Sequence, residues 1–194
     1  LSLLRAMFCD IVFAPSANEI YEDNIASQAF NFDGLEHQME GKFRDGHFNG
    51  VGTIVKRLFE IVKPSKAYFG EKDFQQLQII RNMVKNHKLP VKIVGCDIYR
   101  EEDGLAMSSR NARLTESHRD AAPFIYKTLK EAKIKFGTKN ALEVIEWVGN
   151  EFEKQPFLEL EYFDIADEET LQTIKNRNPK QKYRAFIAVF AGEI

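Results

Sequence analysis

An α/β fold built on a parallel sheet, with a smaller α+β region after it, is predicted by three observations. Residues 66–69 and 91–98 are two near-continuous apolar runs that read as buried strands. Between them Leu77, Ile80, Met83 and Val84 recur three and four residues apart, as on one helix face, so the stretch is a βαβ unit of the parallel kind. Beyond residue 100 the pattern changes, and residues 158–166 and 182–189 alternate apolar and polar side chains, the mark of half-exposed strands.

Taken in order, residues 9–14 read as a first buried strand, and residues 19–50 are loop-rich, with Phe30, Phe32 and Leu35 packing a short irregular segment. Residues 51–62 form an amphipathic helix through Val51, Ile54, Val55, Leu58 and Val62, which Pro64 ends. The 66–69 strand leads through Gly70 to a helix over 73–87, with Asp73 placed as its N-cap. Thr115, followed by Glu116 in the first turn, caps a long helix to about residue 136 that Pro123 kinks or restarts. Residues 141–152 are a further amphipathic helix, and a short helix around 168–174 separates the last two strands. Two domains are expected, 1–100 and 101–194, the second lid-like.

Composition narrows the function classes. A chain of 194 residues with 44% hydrophobic content can bury a real core. Its 27 basic and 29 acidic side chains leave a net charge of −2, so no electrostatic argument points to nucleic acid or a membrane surface as partner. No apolar run approaches the length of a bilayer span, no signal-peptide feature is visible, and a cytoplasmic location is the default. Cys9 and Cys96 each lie in an apolar strand-like run, which predicts reduced core thiols rather than a disulfide or metal site. His37, His87 and His118 lack metal-centre spacing, and the best reading of His47 is a structural loop histidine bonded to nearby backbone.

Two loops carry the chemistry. Gly70-Glu71-Lys72-Asp73 joins a strand to a helix start, where unpaired N–H groups and a partial positive charge make an anion site to which Lys72 adds a full charge. Some thirty-five residues later Met107-Ser108-Ser109-Arg110 sets two hydroxyls beside a guanidinium whose planar fork suits phosphate oxygens, with Gly104 allowing a sharp turn before it. In an open parallel sheet, ligands sit beyond the carboxyl ends of the strands, where Gly70 and Tyr99 both fall. Together the loops point to an enzyme that handles ATP.

These strings resemble the pantothenate synthetase (pantoate-beta-alanine ligase) family of the nucleotidylyltransferase superfamily. Phe69-Gly70-Glu71-Lys72-Asp73-Phe74-Gln75-Gln76-Leu77 is similar to that family's nucleotide loop, and residues 100–111, Arg100 to Asn111, to its second signature. Glu40-Gly41 with Arg44-Asp45-Gly46-His47-Phe48-Asn49-Gly50-Val51 resembles the loop before a long helix, with Asp45 where proline is common, and Asp10-Ile11-Val12-Phe13-Ala14-Pro15-Ser16 an earlier strand. A Rossmann-like sheet of the nucleotidylyltransferase type is what the resemblance implies for residues 1–100. It also implies a further N-terminal part, with a His-x-Gly-His motif that does not occur in these residues, so catalysis by this chain alone is not expected.

The implied reaction condenses pantoate with β-alanine through pantoyl adenylate, releasing pyrophosphate and AMP. Lys72, Ser108, Ser109 and Arg110 are its implied catalytic residues, with Mg²⁺ sharing the charge. ATP would be bound by these four with Gly70, Glu71, Asp73 (on the ribose hydroxyls), Tyr99 and Met107 (by backbone to adenine), and pantoate by Gln76. No protein metal site, nucleic acid or membrane is implied, and a homodimer is. Closure about residues 100–103 is expected to complete the site. Glu40 and His47 are lesser candidates for substrate contact. Another enzyme of the same superfamily, or a non-catalytic nucleotide-binding piece, stay open as alternatives.

Overall fold

The computed structural model describes residues 2–21 and 27–194. Two short helices come first, α1 (Ser2–Ala6) and α2 (Ala17–Tyr21). Residues 9–16 between them form no regular structure, and Cys9, Ile11, Val12 and Phe13 are exposed, which corrects the buried strand expected at 9–14. No described strand lies beside this run, and extended backbone without a ladder has nothing to hold it as a strand. Cys96 is also exposed, so both free cysteines are surface thiols rather than core ones.

Two single turns, Leu35–His37 and Met39–Lys42, lead to α3 (His47–Val62). This helix starts four residues before its apolar periodicity does, because Gly46 at φ 71° turns the chain into it, and it ends at Lys63, φ 50°, just ahead of Pro64. The βαβ unit follows as β1 (Lys66–Gly70), α4 (Phe74–Asn86) and β2 (Lys92–Cys96). The strands pair in parallel, with Lys66 opposite Lys92 and Gly70 opposite Cys96. Phe74, Leu77, Ile79, Ile80 and Met83 of α4 are buried with Phe32, Leu35, Met39 and Phe48 in one core. The irregular segment around residues 30–35 thus packs as its three apolar side chains predict.

The second region comprises α5 (Glu116–Ala121), α6 (Pro123–Lys135), α7 (Ala141–Phe152), β3 (Glu159–Asp167) and β4 (Tyr183–Phe190). Thr115 caps α5 by accepting from the His118 N–H, and Pro123 restarts the helix as the first residue of α6. Asn140 and Glu143 close a capping box at the start of α7. β3 and β4 are antiparallel, with Phe163 opposite Ile187. The helix expected around 168–174 is absent. Asp167 Oδ1 accepts from the N–H groups of Glu169 and Thr170, at 3.0 and 2.8 Å, and Leu171 sits at φ 56°, so a side-chain-capped turn replaces it.

The β3–β4 sheet is shared. Phe163, Ile165 and Ile187 pack with α6 and α7, whereas Ala166, Tyr162 and Phe186 pack with α4 and the residues around it. The Phe186 and Phe74 rings lie 6.0 Å apart, Phe43 stacks on Tyr162 at 5.7 Å, and Gln78 Nε2 donates to the Glu168 carbonyl at 2.5 Å. The core on the α4 side is the tighter constraint on the site. Replacing Ile80, which is fully buried, by Ala is expected to cost about 2–5 kcal/mol. A urea titration would read this as a lower midpoint at unchanged slope.

Candidate active site

The parallel register sets the site. Because Gly70 is level with Cys96, both strands end at one edge of the sheet, and the two signature loops leave from that edge. The first runs through the single turn Glu71–Asp73 into α4. Gly70, Lys72 and Asp73 are exposed, and Lys72 Nζ lies 3.5 Å from Asp73 Oδ1. Asp73 occupies the N-cap position of α4, but at φ −99°, ψ 61° its side chain makes no capping bond, a correction to the expected cap. The carboxylate turns toward Lys72 instead, and the first N–H groups of α4 keep no side-chain cap, as an anion site requires.

Glu71 behaves differently from its neighbours. Its Oε2 lies 3.0 Å from Arg184 Nη2 on β4, and Arg184 Nε lies 3.3 Å from Glu168 Oε1. The same guanidinium stands 3.9 Å over the Phe74 ring. The Glu71 side chain therefore ties the first loop to the second region, which leaves its backbone, not its carboxylate, for an anionic ligand.

The second loop is a tight hairpin. Arg100 bridges Ala106, the Glu101 N–H donates to the Leu105 carbonyl at 2.8 Å, and the Met107 N–H to the Tyr99 carbonyl at 3.0 Å. Met107 is thereby brought back level with Tyr99, three residues past β2, and both side chains are exposed. Gly104, at φ 92°, is required twice over, because a Cβ there would also lie 2.2 Å from Tyr126 Cδ1. Arg100 lies 3.9 Å from the centroid of that ring and donates to the Gly104 carbonyl at 3.0 Å. Ser108 Oγ accepts from the Arg110 N–H at 3.2 Å and caps the turn Ser109–Arg113. Ser109 and Arg110 are exposed, and the Arg110 side chain has no partner among the described residues. Lys72, Ser108, Ser109 and Arg110 thus stand on two loops of one sheet edge, their donors available to a polyphosphate.

Gln76 is half-buried, one turn along α4 from that edge. Its neighbour Gln75 is a residue that sequence reasoning missed. Gln75 is 5% exposed, and its Nε2 donates to the carbonyls of Leu35 at 2.9 Å and Gln38 at 2.6 Å, while its Oε1 accepts from the Glu40 N–H at 3.1 Å. The signal was its spacing of four and eight from the buried Ile79 and Met83. Through Gln75, α4 holds the turn bearing Glu40. His47 Nε2 lies 3.9 Å from Glu40 Oε1 and 3.3 Å from Arg44 Nη1, and Arg44 pairs closely with Glu40. His47 is therefore engaged by side chains rather than by backbone as expected.

Electrostatics joins this group to the loops. Burial raises the Tyr162 phenol to about 12, and the carboxylates of Glu40, Glu161, Asp164 and Asp73 add to the effect, so the β3 phenol stays neutral within the field of both Glu40 and Asp73. A cavity of about 600 Å³ lies elsewhere, lined by His118, Phe152, Phe157, Leu158, Phe190 and Gly192 among others, and includes no residue of either loop. Its position argues against cavity volume as a guide to the chemistry here. Among the described residues no cluster of three or more His, Cys, Asp or Glu side chains is placed to hold a metal ion. Nor is any described helix long and apolar enough to cross a membrane.

A parallel α/β sheet with two donor-bearing loops at its carboxyl edge fits the nucleotidylyltransferase fold. Over residues 1–194 the sequence matches the family described as pantoate-beta-alanine ligase, and the chain belongs to that family. It is 61% identical over 184 residues to the pantothenate synthetase of Flavobacterium psychrophilum, covering 95% of this chain and 65% of that protein. It is 54% identical over 195 residues to that of Christiangramia forsetii, covering 100% and 69%. The chain therefore spans about two thirds of the length of these relatives. The crystal structure of pantothenate synthetase from Thermus thermophilus superposes with a TM-score of 0.84 at 34% identity, over 98% of this chain and 72% of that one. Pantoate-beta-alanine ligase from Francisella tularensis, solved in complex with beta-gamma ATP and beta-alanine, gives 0.78 at 30% identity, over 100% and 65%.

The half-buried setting of His47 has a measurable consequence. Desolvation first and Arg44 second lower its pKa below the usual 6.5, against the opposing pull of Glu40. The unfolded chain then binds the proton more readily, so the stability tied to neutral His47 is complete above about 6.5 and is lost as the pH falls through the lowered value. Unfolding free energies measured between about pH 5 and 8 should therefore fall less steeply toward acid in His47→Gln than in the parent.

Proposed function

We propose that this protein joins pantoate to β-alanine at the expense of ATP. The observation that carries this reading is the match of the whole chain to the ligase family, with both ATP-loop strings on one sheet edge. The beta-gamma ATP and beta-alanine held by the Francisella tularensis relative support the same substrates here.

In the first step a pantoate carboxylate oxygen bonds to the α-phosphorus while the bridging oxygen to the β-phosphorus leaves with pyrophosphate. In the second, the β-alanine amine attacks the acyl carbon of the mixed anhydride, AMP departs, and the amine proton passes to solvent. The first step brings anionic groups together, so its barrier is lowered by positive charge fixed in advance. Lys72 and Arg110 would supply that charge, Ser108 and Ser109 hydrogen bonds, and α4 its uncapped N-terminus. Gly70 would let the nucleotide approach closely, Asp73 would hold the ribose hydroxyls, the Glu71, Tyr99 and Met107 backbones would take the rest of the nucleotide, and Gln76 would orient pantoate. Magnesium would arrive with the triphosphate and neutralise part of its charge, the usual manner of that ion at nucleotide sites. A cytoplasmic homodimer belongs to the same proposal, and exposed Ile11, Val12 and Phe13 offer apolar surface of the kind a subunit contact would cover.

Exchange of labelled pyrophosphate into ATP, without β-alanine and with the protein carrying its native ends, tests the reading. Exchange that depends on pantoate is the expected result, and Lys72→Ala and Arg110→Ala should each lower it by about 10²- to 10³-fold. A folded protein that binds ATP with magnesium yet exchanges nothing would overturn it in favour of a binding-only role.

A further inference from the structure

The hairpin that carries Ser108, Ser109 and Arg110 has few apolar contacts of its own, since Leu105 is buried but Met107 is exposed. Its position is instead held by ions. Arg119, on α5, reaches back with both arms of its guanidinium: Nη1 lies 2.6 Å from Asp103 Oδ2 and Nη2 lies 3.1 Å from Glu101 Oε2. Each carboxylate passes the constraint on through its second oxygen. Asp103 Oδ1 accepts from the Leu105 N–H at 3.0 Å, and Glu101 Oε1 accepts from Asn111 Nδ2 at 2.8 Å. Asn111 Nδ2 also donates to the Ala106 carbonyl at 3.1 Å. One guanidinium thus bridges the strand entering the Gly104 turn, and the two carboxylates relay that hold to residues on either side of Ser108 and Arg110.

We propose that Arg119 is a positioning residue for the 108–110 loop, acting through Glu101, Asp103 and Asn111 and not by contact with the nucleotide. This rests on the ligase reading. A planar fork is needed, because an ammonium cannot keep both carboxylates at hydrogen-bond distance in fixed directions. The three side chains are about one third exposed, so the clamp costs little desolvation and adds little global stability. Its effect is on where the loop stands. The same contacts act on the charges: the Leu105 N–H and then Arg119 hold the Asp103 carboxyl below its ordinary range, and Asp103 in turn raises Arg119. An error of an ångström in a donor that meets the transition state is felt in turnover more than in ground-state affinity.

The test compares Arg119→Gln, Arg119→Lys and Glu101→Gln with the parent in two measurements. The first is pantoate-dependent pyrophosphate exchange, where Arg119→Gln should lower kcat by about 10- to 100-fold with the pantoate KM within about twofold. Lysine should not restore it, and Arg119→Gln combined with Glu101→Gln should be no worse than the poorer single variant. The second is amide hydrogen exchange without ligand, where the Leu105, Met107 and Arg110 amides should exchange faster in Arg119→Gln while those of α4 stay as protected as before. Wild-type kcat together with unchanged loop protection in Arg119→Gln would overturn the positioning role, as would full rescue by lysine. If the parent itself shows no pyrophosphate exchange, the ligase reading fails, and loop protection alone decides whether Arg119 holds the hairpin.

Discussion

A pair of parallel strands cannot hold its shape without a helix across its face, and everything at this site depends on α4 covering β1 and β2. Parallel strands require a crossover connection, and the apolar face of that connection must be buried against the strands it joins. Here α4 does more than cover. Its first turn follows directly from the 70–73 loop, its Gln75 fixes the turn bearing Glu40, and its Phe74 takes the ring of Phe186 and the guanidinium of Arg184. The N-terminal turn of one helix is therefore where the 70–73 loop, the Glu40 cluster and the second region meet.

The two loops are supported in different ways. The first follows from secondary structure, because a strand end and a helix start leave it little freedom. The second, which must carry Ser108 and Arg110 on a protruding hairpin, relies on Gly104 fitting against Tyr126 and on ion pairs from α5. Ion pairs act on both loops, through Arg184 on Glu71 and through Arg119 on Glu101 and Asp103, so both halves of the site should feel ionic strength.

Much of this was legible in the sequence because period and punctuation agree. The spacing in α4, the capping signal at Thr115 and the alternation in β3 and β4 each gave an element within a few residues of its observed place. Residues 141–152 were read to the residue from their amphipathic pattern, and the structure adds the Asn140–Glu143 capping box that fixes the start. The misreadings share a physical cause. Residues 9–14 have the composition of a strand, but a strand is a relation between segments, and no described partner stands beside them. Asp73 and the 168–174 stretch turned on where a carboxylate points, since Asp73 leans to Lys72 and Asp167 gathers the amides that a helix would have used. The loop residues were singled out through long, specific strings. Gln75 and Arg119 were not, because their importance lies in partners forty and eighteen residues away.

The sheet whose two faces belong to different cores also bears on how the molecule moves and comes apart. Were the second region attached only through residues 100–103, it could swing as a rigid lid and unfold by itself. With Ala166 and Phe186 in the core of α4, and Ile165 and Ile187 in that of α7, neither core can open without exposing apolar surface of the other. Packing of this kind favours sliding of side chains over small distances for any motion between them. Loss of structure on one side is then expected to be felt on the other, coupling the unfolding of two regions of different architecture.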